Sequence, residues 1–221
     1  MKKFYVDLSI RPPVKDSDID RYCKLLGMLK YKCIAFTHVY GLDSLSEFLI
    51  KVSRFSEKCD NISVIKRIHI IADNVSSVKK ILREDFLREF SLISVETNNL
   101  ETLRWASRDK RIRVIRVNKF TSRHIDSSEQ RLLLESNSVL EITLRNLLYR
   151  RRIEWLRVVI DSLRKSVAYD IPVVISSDAT SWLEFFPPHV GISLCDLADI
   201  PPGMCLSFLS TIPLSLTSCG R

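Results

Sequence analysis

Short runs rich in Val, Ile and aromatic residues alternate with amphipathic runs through almost the whole chain, and this alternation constrains the fold more than any single motif does. The β-rich runs are 4–9, 31–37, 64–72, 92–97, 112–117, 139–143 and 172–176, with the composition of buried or half-buried strands. Between them, Leu42, Leu45, Leu49, Val52 and Phe55 recur at helical spacing behind a Ser44-x-x-Glu47 capping box. Val78, Ile81, Leu82 and Phe86 repeat that spacing, and Leu156, Val159, Ile160, Leu163 and Val167 form the clearest stripe. Repeated strand–helix alternation calls for parallel strands joined by crossover helices. Seven such strands in 221 residues predict an α/β fold, an irregular (β/α) barrel of the TIM type, with a doubly wound open sheet as the alternative.

With 5 glycines and no Ser/Gly-rich linker, nothing marks an internal boundary. Residues 1–210 are expected to form one barrel domain. Prolines 187, 188, 201, 202 and 213 cut the last part into short pieces, expected to be short helices and loops that close the barrel. Residues 211–221 carry one charge and few core signals, so they are expected to be a flexible C-terminal tail.

Hydrophobic residues at 46% and charged residues at 27% place the chain among globular proteins rather than disordered ones. The net charge of +8 permits a polyanionic partner without requiring one. Cys23, Cys33, Cys59, Cys195, Cys205 and Cys219 include no C-x-x-C pair and match no zinc template. They are expected to be small apolar core residues of a reduced protein. The N-terminus lacks the apolar stretch of a signal peptide, and no apolar run approaches a membrane span. A cytoplasmic protein without membrane contact is the expectation.

In a barrel of this type, chemistry sits where the strands run out into loops. The strand ends offer Ser9 and Arg11, Thr37 and His38, Glu96 and Asn98, Asn118, Glu141 and Thr143, and Ser176 to Asp178. This rim has one histidine and no Cys/His pair, nucleophile elbow, phosphate loop or H-E-x-x-H. Glu96 and Glu141 could pair for acid–base work, but strand-end glutamates are expected to be hydrogen-bonded structural acceptors.

The strand ends resemble those of the PHP family of metal-dependent phosphoesterases. Where that family opens Asp-Leu-His-x-His, this chain has Asp7-Leu8-Ser9-Ile10-Arg11; where it has Thr-Asp-His, this chain has Thr37-His38-Val39. Its Ser-Asp-Ala-His becomes Ser177-Asp178-Ala179-Thr180. Asp7, Ser9, Arg11, His38, Glu141 and Asp178 are therefore degenerate positions of a metal site. Most matching donors are gone, and Arg11 is expected to put a fixed cation where metal ions would sit. No bound metal is expected. The competing reading is an active PHP-type phosphoesterase using Asp7, His38, Glu141 and Asp178.

The same degenerate pattern resembles archaeal ribonuclease P protein component 3, the thirty-kilodalton-subunit family. The resemblance rests chiefly on Ser94-Val95-Glu96-Thr97-Asn98-Asn99, on Arg104-Trp105-Ala106-Ser107-Arg108-Asp109, on the basic strand 111–118, and on Val139-Leu140-Glu141-Ile142-Thr143. The family usually has Ser-Ser-Gly where this chain has Ser176-Ser177-Asp178. The resemblance implies a PHP-like barrel that is a non-catalytic subunit: the ribonuclease P RNA, with magnesium, performs 5'-end maturation of precursor tRNA. It implies no cofactor in this chain. The implied partners are that RNA, ribonuclease P protein component 2 and other subunits, with precursor tRNA as substrate of the particle. Two basic segments, 104–123 and 145–165, agree with an RNA partner, since guanidinium forks suit phosphate oxygens. The RNA-binding candidates are Arg108, Lys110, Arg111, Arg113, Lys119, Arg123, Arg150, Arg151 and Arg157. Aromatic interleaving is weak, so backbone and shape recognition is the expected mode. A third reading is a protein scaffold whose basic face is ordinary solvated surface.

Overall fold

The structure is a computed structural model that describes residues 4–149 and 152–217. Seven strands follow one another in a single parallel sheet, in sequence order: β1 (Tyr5–Ile10), β2 (Tyr31–Val39), β3 (Ser63–Ile71), β4 (Leu92–Glu96), β5 (Val114–Arg116), β6 (Val139–Thr143) and β7 (Val173–Ser176). Helices α1 (Ile19–Met28), α2 (Leu45–Lys58), α3 (Val75–Ile81), α4 (Leu100–Ala106), α5 (Lys119–Arg123), α6 (Ser127–Ser136) and α7 (Arg152–Ala168) lie between or beside them. Each of the seven expected β-rich runs is a strand, and the sheet curls into a nearly closed TIM-like barrel.

The seam between β1 and β7 has no full ladder. It carries one parallel bridge, Ile10 to Ala179, with the Arg11 amide donating to the Ala179 carbonyl at 2.7 Å. The Asp7 carboxylate spans the same seam and accepts from the Ser177 amide at 3.0 Å and from the Ser9 amide at 3.0 Å. A bulge between Asp7 and Ile10 breaks the two-residue repeat of β1. Val6 and Leu8 pack inside the barrel, Ile10 joins the outer core, and Ser9 is turned toward the mouth.

Two apolar layers hold this arrangement. Val6, Leu8, Cys33, Ala35, Ile65, Leu92 and Val114 fill the barrel below the mouth, while Phe36, Phe55, Tyr22, Ile68 and Leu163 pack between sheet and helices. The loops that lead out of the central strands are short because asparagines cap the next helix. Asn74, Asn99 and Asn118 accept from Ser77, Thr102 and Thr121 amides at 2.8–2.9 Å. Ser44 occupies the N-cap of α2 as expected, yet its hydroxyl meets Ser46 rather than a backbone amide. The stripe Val78 to Phe86 is likewise not one helix: α3 ends at Ile81 and a 3₁₀ turn, Asp85–Glu89, follows.

The proline-rich end forms α8 (Pro188–Leu197), α9 (Pro202–Leu209) and α10 (Thr211–Ser215). Pro188 and Pro202 open their helices, where the missing amide costs nothing. The expectation of a tail from residue 211 needs correction. Pro213 is buried, and Ile212, Leu214 and Leu216 pack against the inner layer from the N-terminal end of the barrel. Within residues 211–217, the low charge accompanies this packing against the barrel. Residues 218–221, and with them Cys219, lie outside the described residues.

The cysteines also depart from expectation. Cys23 and Cys59 are joined, tying α1 to the end of α2 across 5.8 Å between Cα atoms, and Cys195 and Cys205 tie α8 to α9 across 6.0 Å. These Cα distances are ordinary for disulfides. Separations of 36 and 10 residues form no sequence motif; the pairing comes from helix packing. Among the described residues, no helix is long and apolar enough to cross a membrane.

Candidate functional site

The C-terminal mouth of the barrel is built on charges that face inward from β3, β5 and β6. Strand residues alternate between faces, so Arg67 shares the inner register of Ile65, and Arg116 that of Val114. Arg67 is fully buried and grips both oxygens of the equally buried Glu141, Nη1 and Nη2 each at 2.5 Å. Its remaining donors go to the Leu8 carbonyl at 2.7 Å and Ser94 Oγ at 2.9 Å. Arg116 adds a contact to Glu141 at 3.2 Å, and its Nη2 reaches Ser9 Oγ at 2.6 Å and Asp178 Oδ1 at 2.9 Å. Ser9 Oγ donates to Asp178 Oδ1 at 2.9 Å. Two guanidiniums and two carboxylates thus form one connected unit, closing the centre of the mouth.

The titration behaviour follows from this pairing. Burial alone would raise the Glu141 carboxyl, but Arg67 and Arg116 outweigh it and hold the group at about 2. Burial likewise works against the Arg116 cation, and Asp178, Glu141 and Glu96 more than offset it, leaving its pKa above the ordinary value. Asp7 has no cation. Burial pushes it up to about 7, against the hydrogen bonds from Ser177 and Ser9. His69 is kept neutral by burial together with Arg116 and Arg67. Its Nε2 lies 3.4 Å from Glu96 Oε2 without a hydrogen bond, so the contact is not an ion pair. Burial raises the Glu96 carboxyl as well.

A PHP-type metal centre needs several oxygen and nitrogen donors converging on one point, and these residues do not fit one. Among the described residues, no three His, Cys, Asp or Glu side chains converge. Glu141 and Asp178 are taken up by guanidiniums, and Asp7 by backbone amides across the seam. His38 stacks on Phe90 at 5.8 Å between ring centroids, and burial lowers its pKa. Arg11 does not supply the central cation, contrary to expectation: it reaches sideways to the Thr37 carbonyl and the Asp43 carboxylate. Arg67 and Arg116 are the cations at the axis. In the sequence, Arg116 is one member of a basic segment, and Arg67 carries no mark of its own. Arg67 follows Lys66 in a mostly apolar strand, and only the strand register, which turns Arg67 inward toward Glu141, tells the two cations apart.

Asp178 stands where the related pattern has glycine, and its φ of +57° explains why. The left-handed region suits glycine and, among other residues, chiefly Asn and Asp. Here the aspartate accepts that conformation and turns its carboxylate onto Arg116.

Among the described residues, the basic candidates lie in two separate places. Arg108, Lys110, Arg111 and Arg113 lie between α4 and β5 at the opposite, N-terminal end of the barrel. There Lys110 and Arg113 line a groove of about 520 Å³ with Asn137, Pro172 and Ile212. Arg111 is held by Asp109 at 2.6 Å, and Arg113 Nε donates to the Asn137 carbonyl at 3.1 Å. Lys119, Arg123 and Arg157 lie on α5 and α7, which are joined by Ser122 and Ser162 at 2.8 Å; Lys119 is paired with Glu154. From Arg113 to Asn118 the chain climbs roughly 16 Å at the usual strand rise. Arg104 pairs with Asp126 and Glu129, each at 2.7 Å. Arg150 and Arg151 lie outside the described residues.

Three comparisons bear on this architecture. The family model for RNase P subunit p30 matches residues 4–220. A ribonuclease P protein component 3 from Aeropyrum pernix is 32% identical over 112 residues, covering 49% of this chain and 53% of that protein. The chain thus spans about half the length of this curated relative. Among solved structures, a chain of an archaeal ribonuclease P determined by cryo-EM with mature tRNA superposes with a TM-score of 0.77 at 19% identity, covering 95% of this chain and 90% of that one. The lactonase Lmo2620 from Listeria monocytogenes superposes at 0.58 with 7% identity, covering 99% and 96%. At such identities the two superpositions speak for the fold alone.

Proposed function

This chain belongs to the RNase P subunit p30 family, and on that premise we propose that it is a non-catalytic protein subunit of ribonuclease P. In this reading it supports a catalytic RNA in the 5'-end maturation of precursor tRNA. The observation that carries the reading is the family match over residues 4–220. The mouth supports the non-catalytic part. A hydrolase of this fold would use its strand ends to hold metal ions, whereas here Arg67 and Arg116 engage Glu141 and Asp178. Among the described residues, no donor set therefore supports the PHP-type phosphoesterase reading.

The chain needs no cofactor of its own in this account; magnesium acts with the RNA. Its partners are the ribonuclease P RNA, protein component 2 and further subunits, with precursor tRNA bound by the assembled particle in the cytoplasm. Arg108, Lys110 and Arg113 at the N-terminal end, and Arg123 and Arg157 on the flank, are the side chains offered to RNA phosphates. The test is reconstitution from purified RNA and protein subunits, with and without this chain. Faster cleavage of precursor tRNA on adding the chain supports the reading. Unchanged cleavage, or cleavage by the chain without RNA, contradicts it.

A further inference from the structure

At the N-terminal end of the barrel, a cavity of about 570 Å³ opens between the ends of α1 and α2 and the starts of β2 and β3. Its wall is apolar. Phe4, Tyr31 and Ile62 line it, together with the joined Cys23 and Cys59, which tie the two helix ends to each other. Gly27, in the last turn of α1, lines it too, and a Cβ placed there would meet nothing within 4 Å. The missing side chain leaves that flank of the cavity open.

The charges around this cavity are mostly of one sign. Lys30, Lys32 and Lys58 line it with a single acid, Asp60. Among the described residues, none of the three lysines is paired with a carboxylate, Asp60 included. Glu57, next to Lys58, accepts from Ser53 Oγ at 3.1 Å on its own helix. Lys58 in the last turn of α2 and Lys30 just beyond α1 suit the helix dipoles, but Lys32 is a strand residue and serves no helix. Asn61 adds an uncharged polar group. Its side-chain amide has donors and an acceptor to offer, lines the same cavity and makes no hydrogen bond among the described residues.

We propose that this cavity receives one unpaired nucleotide of an RNA. The base enters the apolar space, the Asn61 amide meets its polar edge, and the lysines meet the phosphates on either side. The volume is ordinary for a site that takes a small planar group. An apolar peptide would leave three lysines without a counter-charge, and a base inside a paired helix cannot enter, so the cavity and its cations together favour a nucleotide free of pairing. Arg108 and Lys110, in the loop before β5, stand at this same end of the barrel, so one polyanion can engage both places. The inference deepens the proposed function and rests on its RNA partnership: it adds a site for a base to the side chains offered to phosphates.

The test measures binding of the full chain to two RNA hairpins that differ only by one bulged adenosine, with circular dichroism confirming the fold of each variant. Wild type should bind the bulged hairpin about tenfold more tightly than the paired one. Gly27→Phe fills the cavity without changing its charge, at a position where the added Cβ meets nothing. It should abolish the preference and leave the paired hairpin bound as before. Lys32→Gln with Lys58→Gln should weaken binding of the bulged hairpin and lower its slope of log affinity against log salt by about two units. Lys15→Gln with Lys80→Gln, an equal charge change away from the cavity, should keep the preference. A preference that is absent in wild type, or that survives Gly27→Phe, would overturn the site. Adenosine monophosphate bound as tightly as the bulged hairpin would assign the cavity to a free nucleotide and overturn the RNA site. Weaker binding of ribonuclease P protein component 2 by Gly27→Phe, with RNA binding unchanged, would make it a protein site instead. Failure of the RNA partnership itself reads differently, since wild type would then bind neither hairpin.

Discussion

At the C-terminal mouth, Arg67 and Arg116 face Glu141 and Asp178, and their donors are spent on carboxylates, Ser9, Ser94 and a backbone carbonyl. At the opposite end, Arg108 and Lys110 stand exposed in a loop whose one acid, Asp109, is engaged by Arg111. The residue types are the same and the consequences are opposite. Charges removed from water must be answered inside the protein, so the mouth has become a structural unit with little left for a ligand. Charges left in water remain available to a polyanion, and they add little to the fold. A basic segment in a sequence therefore says nothing about binding until each member is placed on one side of this division.

The comparison breaks most visibly if its buried half is cut. Arg67→Met leaves Glu141 without its bidentate partner and should cost about 3–5 kcal/mol in urea unfolding. A loss under about 1 kcal/mol would mean that the pair is not the keystone described here. Next in size is the pH dependence. Asp7 is raised from 3.8 to about 7, so its contribution is full below about pH 4 and is lost as pH rises through 7. Glu141 is depressed from 4.5 to about 2, so its contribution is present above about pH 4.5 and is lost toward pH 2. Buried, neutral His69 works in the opposite direction, since stability is lost as pH falls below its unfolded value of 6.5, so the Asp7 contribution is read against Asp7→Asn: relative to that variant, wild type should lose on the order of 4 kcal/mol between pH 4 and 8. A stability difference between the two that does not change with pH would contradict the assignment to Asp7. At Asp178, both Gly and Val remove the ion pair, but only Val must adopt the left-handed backbone. Asp178→Val should be less stable than Asp178→Gly by roughly 1–2 kcal/mol, and equal melting midpoints would remove the conformational argument. The exposed half answers differently. Arg108→Ala with Lys110→Ala should leave unfolding unchanged and lower the slope of log RNA affinity against log salt by about two units. An unchanged slope would leave this loop as ordinary solvated surface.

The barrel was legible in the sequence because parallel strands buried on both faces must be apolar runs, and each of the seven runs became a strand. The capping box was half legible: Ser44 sits at the N-cap, but the hydroxyl found another partner. What escaped were effects that arise only on assembly. Arg116 reads as one more arginine among Arg111, Arg113 and Lys119 until the strand register turns it inward. Arg67 stands beside Lys66 in sequence, and nothing there marks it out or announces Glu141, which lies 74 residues away. The disulfides join helices whose packing no spacing encodes, and α10 looks like a tail because its apolar residues have no periodic frame. At the degenerate metal positions, the lost donors are plain in the sequence. The replacing cation is not, because Arg11 lies beyond the bulge and the seam bridge to Ala179.

The most direct test of the account compares two particles reconstituted with the full set of subunits, one carrying Asp178→Asn in the mouth and the other Arg108→Glu with Lys110→Glu at the opposite end. Cleavage of precursor tRNA is followed as salt is raised. The account predicts that the mouth variant cleaves at the wild-type rate, and that the charge-reversed variant loses activity at lower salt than wild type does. Loss of turnover in Asp178→Asn, with wild-type salt tolerance in the charge-reversed variant, would place the chemistry in this chain and contradict the account.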